Sequence, residues 1–134
     1  MTTKLSFLLT AALVATACGD EPTSHGHTPA SAKLFAAGQE LTPNLVLTGG
    51  QTVRIEVRFY HEDGEQITGI ETDHFAGLSF APATLATVTP VTGQHFFFDV
   101  TVQNAAGSGT VTVGYGHDAA ADELSFGPFQ VTVP

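Results

Sequence analysis

The chain has 134 residues, with 4 Lys and Arg against 13 Asp and Glu and a formal net charge of −9 when its 6 histidines are neutral. That is room for one domain of ordinary size, and so acidic a chain lacks the clustered cations that phosphate backbones require, which excludes nucleic acid as a partner. A hydrophobic share of 43% argues against intrinsic disorder, and a single cysteine excludes an internal disulfide framework and any multi-cysteine zinc site.

Residues 1–17 (MTTKLSFLLTAALVATA) carry Lys4 in a short leading region, then an apolar run from Leu5 to Val14, then small residues up to Ala17. This is the architecture of a secretory signal peptide, too short to cross a membrane stably. Cys18, the only cysteine, follows at once. The stretch Val14-Ala15-Thr16-Ala17-Cys18 resembles the lipobox of bacterial lipoproteins, with Ala15 where Leu is usual. The resemblance implies cleavage before Cys18 and acylation of Cys18 on its sulfur and its new amino terminus. Two or three acyl chains anchor a protein stably, since each buried CH₂ contributes about 0.8 kcal/mol. Gly19 stands where an Asp would retain a lipoprotein at the inner membrane. The expected address is therefore the bacterial cell envelope, lipid-anchored at the outer membrane, periplasmic or surface-exposed. An ordinary secretory signal with a cysteine near its cut is the alternative.

From Gly19 onward the chain reads GDEPTSHGHTPASA, small residues and prolines without apolar periodicity. Residues 18–40 are expected to be the acylated Cys and a flexible tether, and residues 41–134 the folded domain. In chain order, the first strand is expected at 44–47. The clearest follows at 51–60, where Val53, Ile55, Val57 and Phe59 alternate with Arg54, Glu56, Arg58 and Tyr60. His61-Glu62-Asp63-Gly64 reads as a turn. Short strands are expected at 66–70, 77–80 and 85–88. The segment 94–103 turns Phe96, Phe98, Val100 and Val102 inward, 110–116 turns Val111, Val113 and Tyr115, and 126–133 buries Phe129, Val131 and Val133. No stretch has a helical period. Short strands about ten residues apart predict an all-β fold, an antiparallel sandwich of about seven strands, with a barrel as the structural alternative.

The segments Leu78-Ser79-Phe80, Leu85-Ala86-Thr87-Val88, Gly107-Ser108-Gly109-Thr110-Val111-Thr112-Val113 and Val131-Thr132-Val133 resemble bacterial immunoglobulin-like domains of the group 2 kind. The match spans residues 41–134. It implies an immunoglobulin-like β-sandwich of the bacterial branch, without the tryptophan and disulfide of antibody domains. Fold alone does not give function.

The histidines carry the functional signal. His61 ends the 51–60 strand, His74 precedes the 77–80 strand, His95 opens 94–103 and His117 closes 110–116. Taking 94–103 and 110–116 as a hairpin, antiparallel directions gather all four at one pole. The tether enters there too, bringing His25 and His27 as further candidates. Strict alternation sets His95 on the outer face and His117 on the inner, so that a direct pair needs a bulge or frayed ends. Glu62, Asp63, Asp73 and Asp118 lie at the same pole, and Asp63, Asp73 and Asp118 are placed to orient imidazoles. Imidazoles with carboxylates and no thiolate suit one divalent transition metal ion, Zn²⁺ or Cu²⁺. Two bland readings compete: solvated loop histidines, and a pH-responsive surface.

No nucleophile elbow, phosphate loop or dinucleotide fingerprint occurs, and His61-Glu62 lacks the second His of a zincin helix. The expected function is non-enzymatic: a lipid-anchored β-sandwich that binds a transition metal for buffering or hand-over to an envelope uptake or surface protein. The alternative is a structural or adhesive surface module without metal. Edge strands with few charges leave self-association open.

Overall fold

The computed structural model describes residues 28–70 and 72–134; the expected signal segment, Cys18, His25, His27 and Glu71 lie outside the described residues. The described residues form nine strands and no helix. They are β1 (Ser31–Ala36), β2 (Gln39–Glu40), β3 (Asn44–Val46), β4 (Thr52–Tyr60), β5 (Phe75–Ala81), β6 (Ala86–Val91), β7 (Gln94–Val102), β8 (Gly107–Gly116) and β9 (Leu124–Val133).

Alternation builds these strands. In β4, Ile55, Val57 and Phe59 are buried, while Arg54, Glu56 and Arg58 face out. In β8, Val111, Val113 and Tyr115 do the same against Thr110, Thr112 and Gly114. A one-sided apolar face must find a second one, and each fully buried Val, Ile, Leu or Phe contributes roughly 1.5–3 kcal/mol toward that pairing. The result is two packed sheets, of order β2-β1-β4-β7-β6 and β3-β9-β8-β5. Without the short β2 and β3, these are the four-strand and three-strand layers of an immunoglobulin-like sandwich of the constant type. Among the described residues no polar or charged side chain is buried.

The charged outer face of the five-stranded sheet is locked by cross-strand pairs. Arg54 is held bidentately by its register partner Asp99 at 2.9 Å, and the Thr52 and Thr101 hydroxyls meet at 2.9 Å. The Arg54 guanidinium, through its hydrogen bonds first, keeps the Asp99 carboxyl below its ordinary range. Arg58 pairs with Glu56 of its own strand and reaches across to lie over the Phe35 ring of β1 at 4.1 Å. Lys33 pairs with Glu40.

Five expectations are corrected. The body begins earlier than residue 41, because β1 and β2 occupy the end of the expected tether, with Ala32 and Leu34 buried and β1 antiparallel to β4. Three buried apolar residues, Ala32, Leu34 and Phe35, around one lysine make too short a pattern to stand out from a small-residue linker. The segment 44–47 therefore holds the third strand, not the first. It pairs parallel with β9, so the sandwich is not wholly antiparallel. Segment 66–70 makes only a single bridge, Gln66 to Tyr60, although Ile67 is buried. Finally, β7 and β8 are not a hairpin: β7 pairs with β4 and β6, β8 with β5 and β9, in different sheets. The small-residue stretch between them is a crossover that reads like a turn.

Candidate functional site

One end of the sandwich collects the C-terminal ends of β4 and β8 and the N-terminal ends of β1, β5 and β7. His61, His74, His95 and His117 all lie there, on strand ends from both sheets. Charge is sorted in the same way. Beyond residue 30 the chain has three cations, Lys33, Arg54 and Arg58, and each pairs with a carboxylate on the outer face of the five-stranded sheet. Every other Asp and Glu of that part of the sequence falls within 61–74 or 117–123, the two loops of the histidine pole. The pole thus carries a concentrated negative field that attracts cations.

His74 and His117 meet. Their ring centroids are 4.1 Å apart, tilted by 49°. His74 Nδ1–H donates to Asp73 Oδ1 at 2.9 Å. His117 Nδ1–H donates to both Glu123 oxygens, at 2.7 and 2.9 Å, while its backbone N–H donates to Glu123 Oε1 at 3.0 Å. Because Nδ1 of each ring holds the proton, Nε2 carries the lone pair when the ring is neutral. Tyr115 stacks against His74 at 5.2 Å and leads inward to the core ring of Phe59 at 4.9 Å.

His95 joins them by backbone irregularity. The β6–β7 register shifts at Pro90/Val91, so that Pro90 faces Phe98 but Val91 faces Gln94, and residues 95–97 have no partner on β6. Such a bulge re-aims side chains. The His95 ring lies against Phe75 of the opposite sheet at 4.1 Å, and its Nδ1–H donates to the His74 carbonyl at 3.0 Å. His61 stands apart. It borders a surface depression with Thr28, Pro29, Ala30, Glu62, Asp63 and Glu65.

The carboxylates divide likewise. Asp73 orients an imidazole, as its position beside His74 suggests. Asp63 instead accepts the Glu65 N–H, and Asp118 the Ala120 N–H, so both shape turns. Glu123 was not among the carboxylates picked out from the sequence. It lies six residues beyond His117 and meets it only because the loop folds back, with the Glu123 N–H donating to the Tyr115 carbonyl at 3.0 Å. The acidic composition of the 117–123 loop was its only sequence signal. Among the described residues no three His, Cys, Asp or Glu side chains converge as a group that could hold a metal ion. The geometry offers a pair of imidazoles, not a closed four-histidine cap.

Hydrogen bonds from the His117 backbone N–H, then from its ring, hold the Glu123 carboxyl below its ordinary range, with the charges of His117 and His74 adding to them. A depressed carboxyl stabilises the fold above its unfolded value, and that contribution disappears as pH falls through the lowered folded value. The stability difference between the native protein and Glu123→Gln is therefore expected to be largest at neutral pH and to vanish in acid. Urea midpoints at both pH values check this, and an unchanged difference would refute it.

No family model matches the chain, and no curated protein matches it. Among solved structures it is similar to the "Crystal structure of the S-layer protein SbsC domains 4 and 5", at 20% identity and a TM-score of 0.43. The likeness covers 79% of this chain and 53% of that one. At that distance it says nothing of function.

Proposed function

We propose that the chain is an exported, lipid-anchored, non-enzymatic β-sandwich that takes up a divalent transition metal ion, Zn²⁺ or Cu²⁺, at its acidic pole. One observation carries the reading: two imidazoles in contact, each with Nδ1 tied to a carboxylate. That is how metal-ligating histidines are oriented, since the carboxylate sets the tautomer and raises the basicity of the other nitrogen. His74 and His117 are the ligand pair, and His95 is the neighbour able to join by a ring movement. Two imidazoles completed by water leave an open coordination sphere, which suits buffering and hand-over better than permanent retention. The anchor agrees with such a role. β1 enters at this pole, and Ser31 is thirteen residues from Cys18, so the pole stands within roughly 45 Å of the acylated residue on any chain path.

The purified protein, dialysed without chelator and titrated with Zn²⁺ or Cu²⁺, is expected to bind about one ion. His74→Ala and His117→Ala should each weaken binding by about 10-fold or more. Binding should also weaken as pH falls from about 7 to about 5, because protons compete for the imidazole nitrogens. Substoichiometric metal that both substitutions leave untouched would overturn the reading. The structural or adhesive module without metal would then stand, a reading favoured by the lack of a three-ligand group among the described residues.

A further inference from the structure

Every open sheet has two edges, and edge strands invite pairing unless they are short, charged, bulged or proline-bearing. Three of the four edges here are blunted. β2 has two residues and β3 three. β6 contains Pro90 and loses register beside it. The fourth, β5, has none of these protections. It runs seven residues, Phe75-Ala76-Gly77-Leu78-Ser79-Phe80-Ala81, in unbroken register with β8. It carries no charge and no proline, and between Asp73 and Asp99 the sequence has no Asp, Glu, Lys or Arg at all. In a chain of net charge −9, the strand itself brings no charge to a second copy, and among the described residues Asp122 is the one charged residue lining the groove beside it.

We infer that β5 is a self-association edge: two copies pair β5 antiparallel about a two-fold axis at Leu78, joining their four-stranded sheets into one of eight strands. Antiparallel pairing follows from charge. About that axis Gly77 faces Ser79 of the second copy and Phe75 faces Ala81, while Asp73 and His74 fall opposite Ala83 and Pro82. Parallel pairing would instead set Asp73 beside its own copy. The closed two-fold also uses up the edge, so the assembly stops at two. A groove beside β5, lined in part by Leu78, Val88, Pro90 and Phe98, adds apolar surface for the second copy to cover.

The test is sedimentation velocity of the full chain with reductant present, so that Cys18 cannot link copies. A dimer is expected at about 100 μM. Ser79→Lys, which sets a charge on the exposed side of β5, should weaken it by about 10-fold or more, and Thr87→Lys on β6 should not. Amide exchange of the unsubstituted chain supplies a readout that needs no variant: β5 amides should gain protection as concentration rises. A monomer throughout, association that Ser79→Lys leaves intact, equal loss with Thr87→Lys, or β5 protection independent of concentration would each overturn the inference.

Discussion

Replacing Phe59 by Ala is expected to lower stability by about 3–5 kcal/mol, the largest loss anticipated for a single side chain here. For a body of about a hundred residues this lowers the melting temperature by roughly 15–25 °C. Phe59 is 1% exposed. Its ring meets Tyr115 at 4.9 Å, Phe126 at 5.8 Å and Phe96 at 6.0 Å, so one side chain from β4 touches rings from both sheets. Edge-to-face pairs add to area burial, and removal leaves a cavity that three strands cannot jointly collapse. Because Tyr115 is also the platform under His74, the substitution should broaden or shift the imidazole resonances of His74 and His117. Phe59→Leu, which keeps most of the volume, should lose much less. Thermal and urea unfolding check both. A loss for Phe59→Ala below about 1 kcal/mol would show that the sheets do not close on this ring.

Gly114→Ala is expected to cost about 1–3 kcal/mol and to separate His117 from Glu123. A methyl at Gly114 would fall on the carbonyl oxygen of Ala121, which the 117–123 loop lays against the outer face of β8. That loop has no slack. Ala121 is 3% exposed and holds a φ of 48°, a conformation that costs an alanine energy. Its N–H donates to the Asp118 carbonyl. Because the obstacle is backbone, Ala121→Gly in a double substitution should restore no more than it gains alone by relieving the positive φ at 121. Gly77→Ala is the contrast: its methyl would meet the Ala121 methyl at 3.4 Å and the Ala120 carbonyl oxygen at 4.0 Å, both ordinary contacts, and should be tolerated. Imidazole NMR on Gly114→Ala, read for loss of the His117–Glu123 hydrogen bond, tests the coupling. Rescue by Ala121→Gly beyond the gain that substitution gives in the otherwise unsubstituted protein would show that the contact is not with the backbone.

These two sites differ in how far they can be read from sequence. Phe59 belongs to the clearest alternating run in the chain, and its burial follows from period two alone. Gly114 alternates correctly as an outward residue of β8, but nothing local says that a loop returns to cover it. The same division runs through the histidines. That His61, His74, His95 and His117 each lie at a strand end is a matter of where alternation starts and stops. That His74 rather than His95 meets His117, with Glu123 beneath, depends on β7 and β8 lying in different sheets and on the bulge at residues 95–97.

Alternating apolar residues by themselves determined an all-β body with two one-sided layers, an acidic surface and histidines confined to strand ends. Only the tertiary structure decided that β1 belongs to the body, that β3 runs parallel to β9, which strands are neighbours, and which imidazole meets which carboxylate. The reason is physical. Alternation states which face of a strand leaves water, a local property, whereas neighbours are chosen by the burial and hydrogen bonding of whole sheets, and a strand carries no label for its partner.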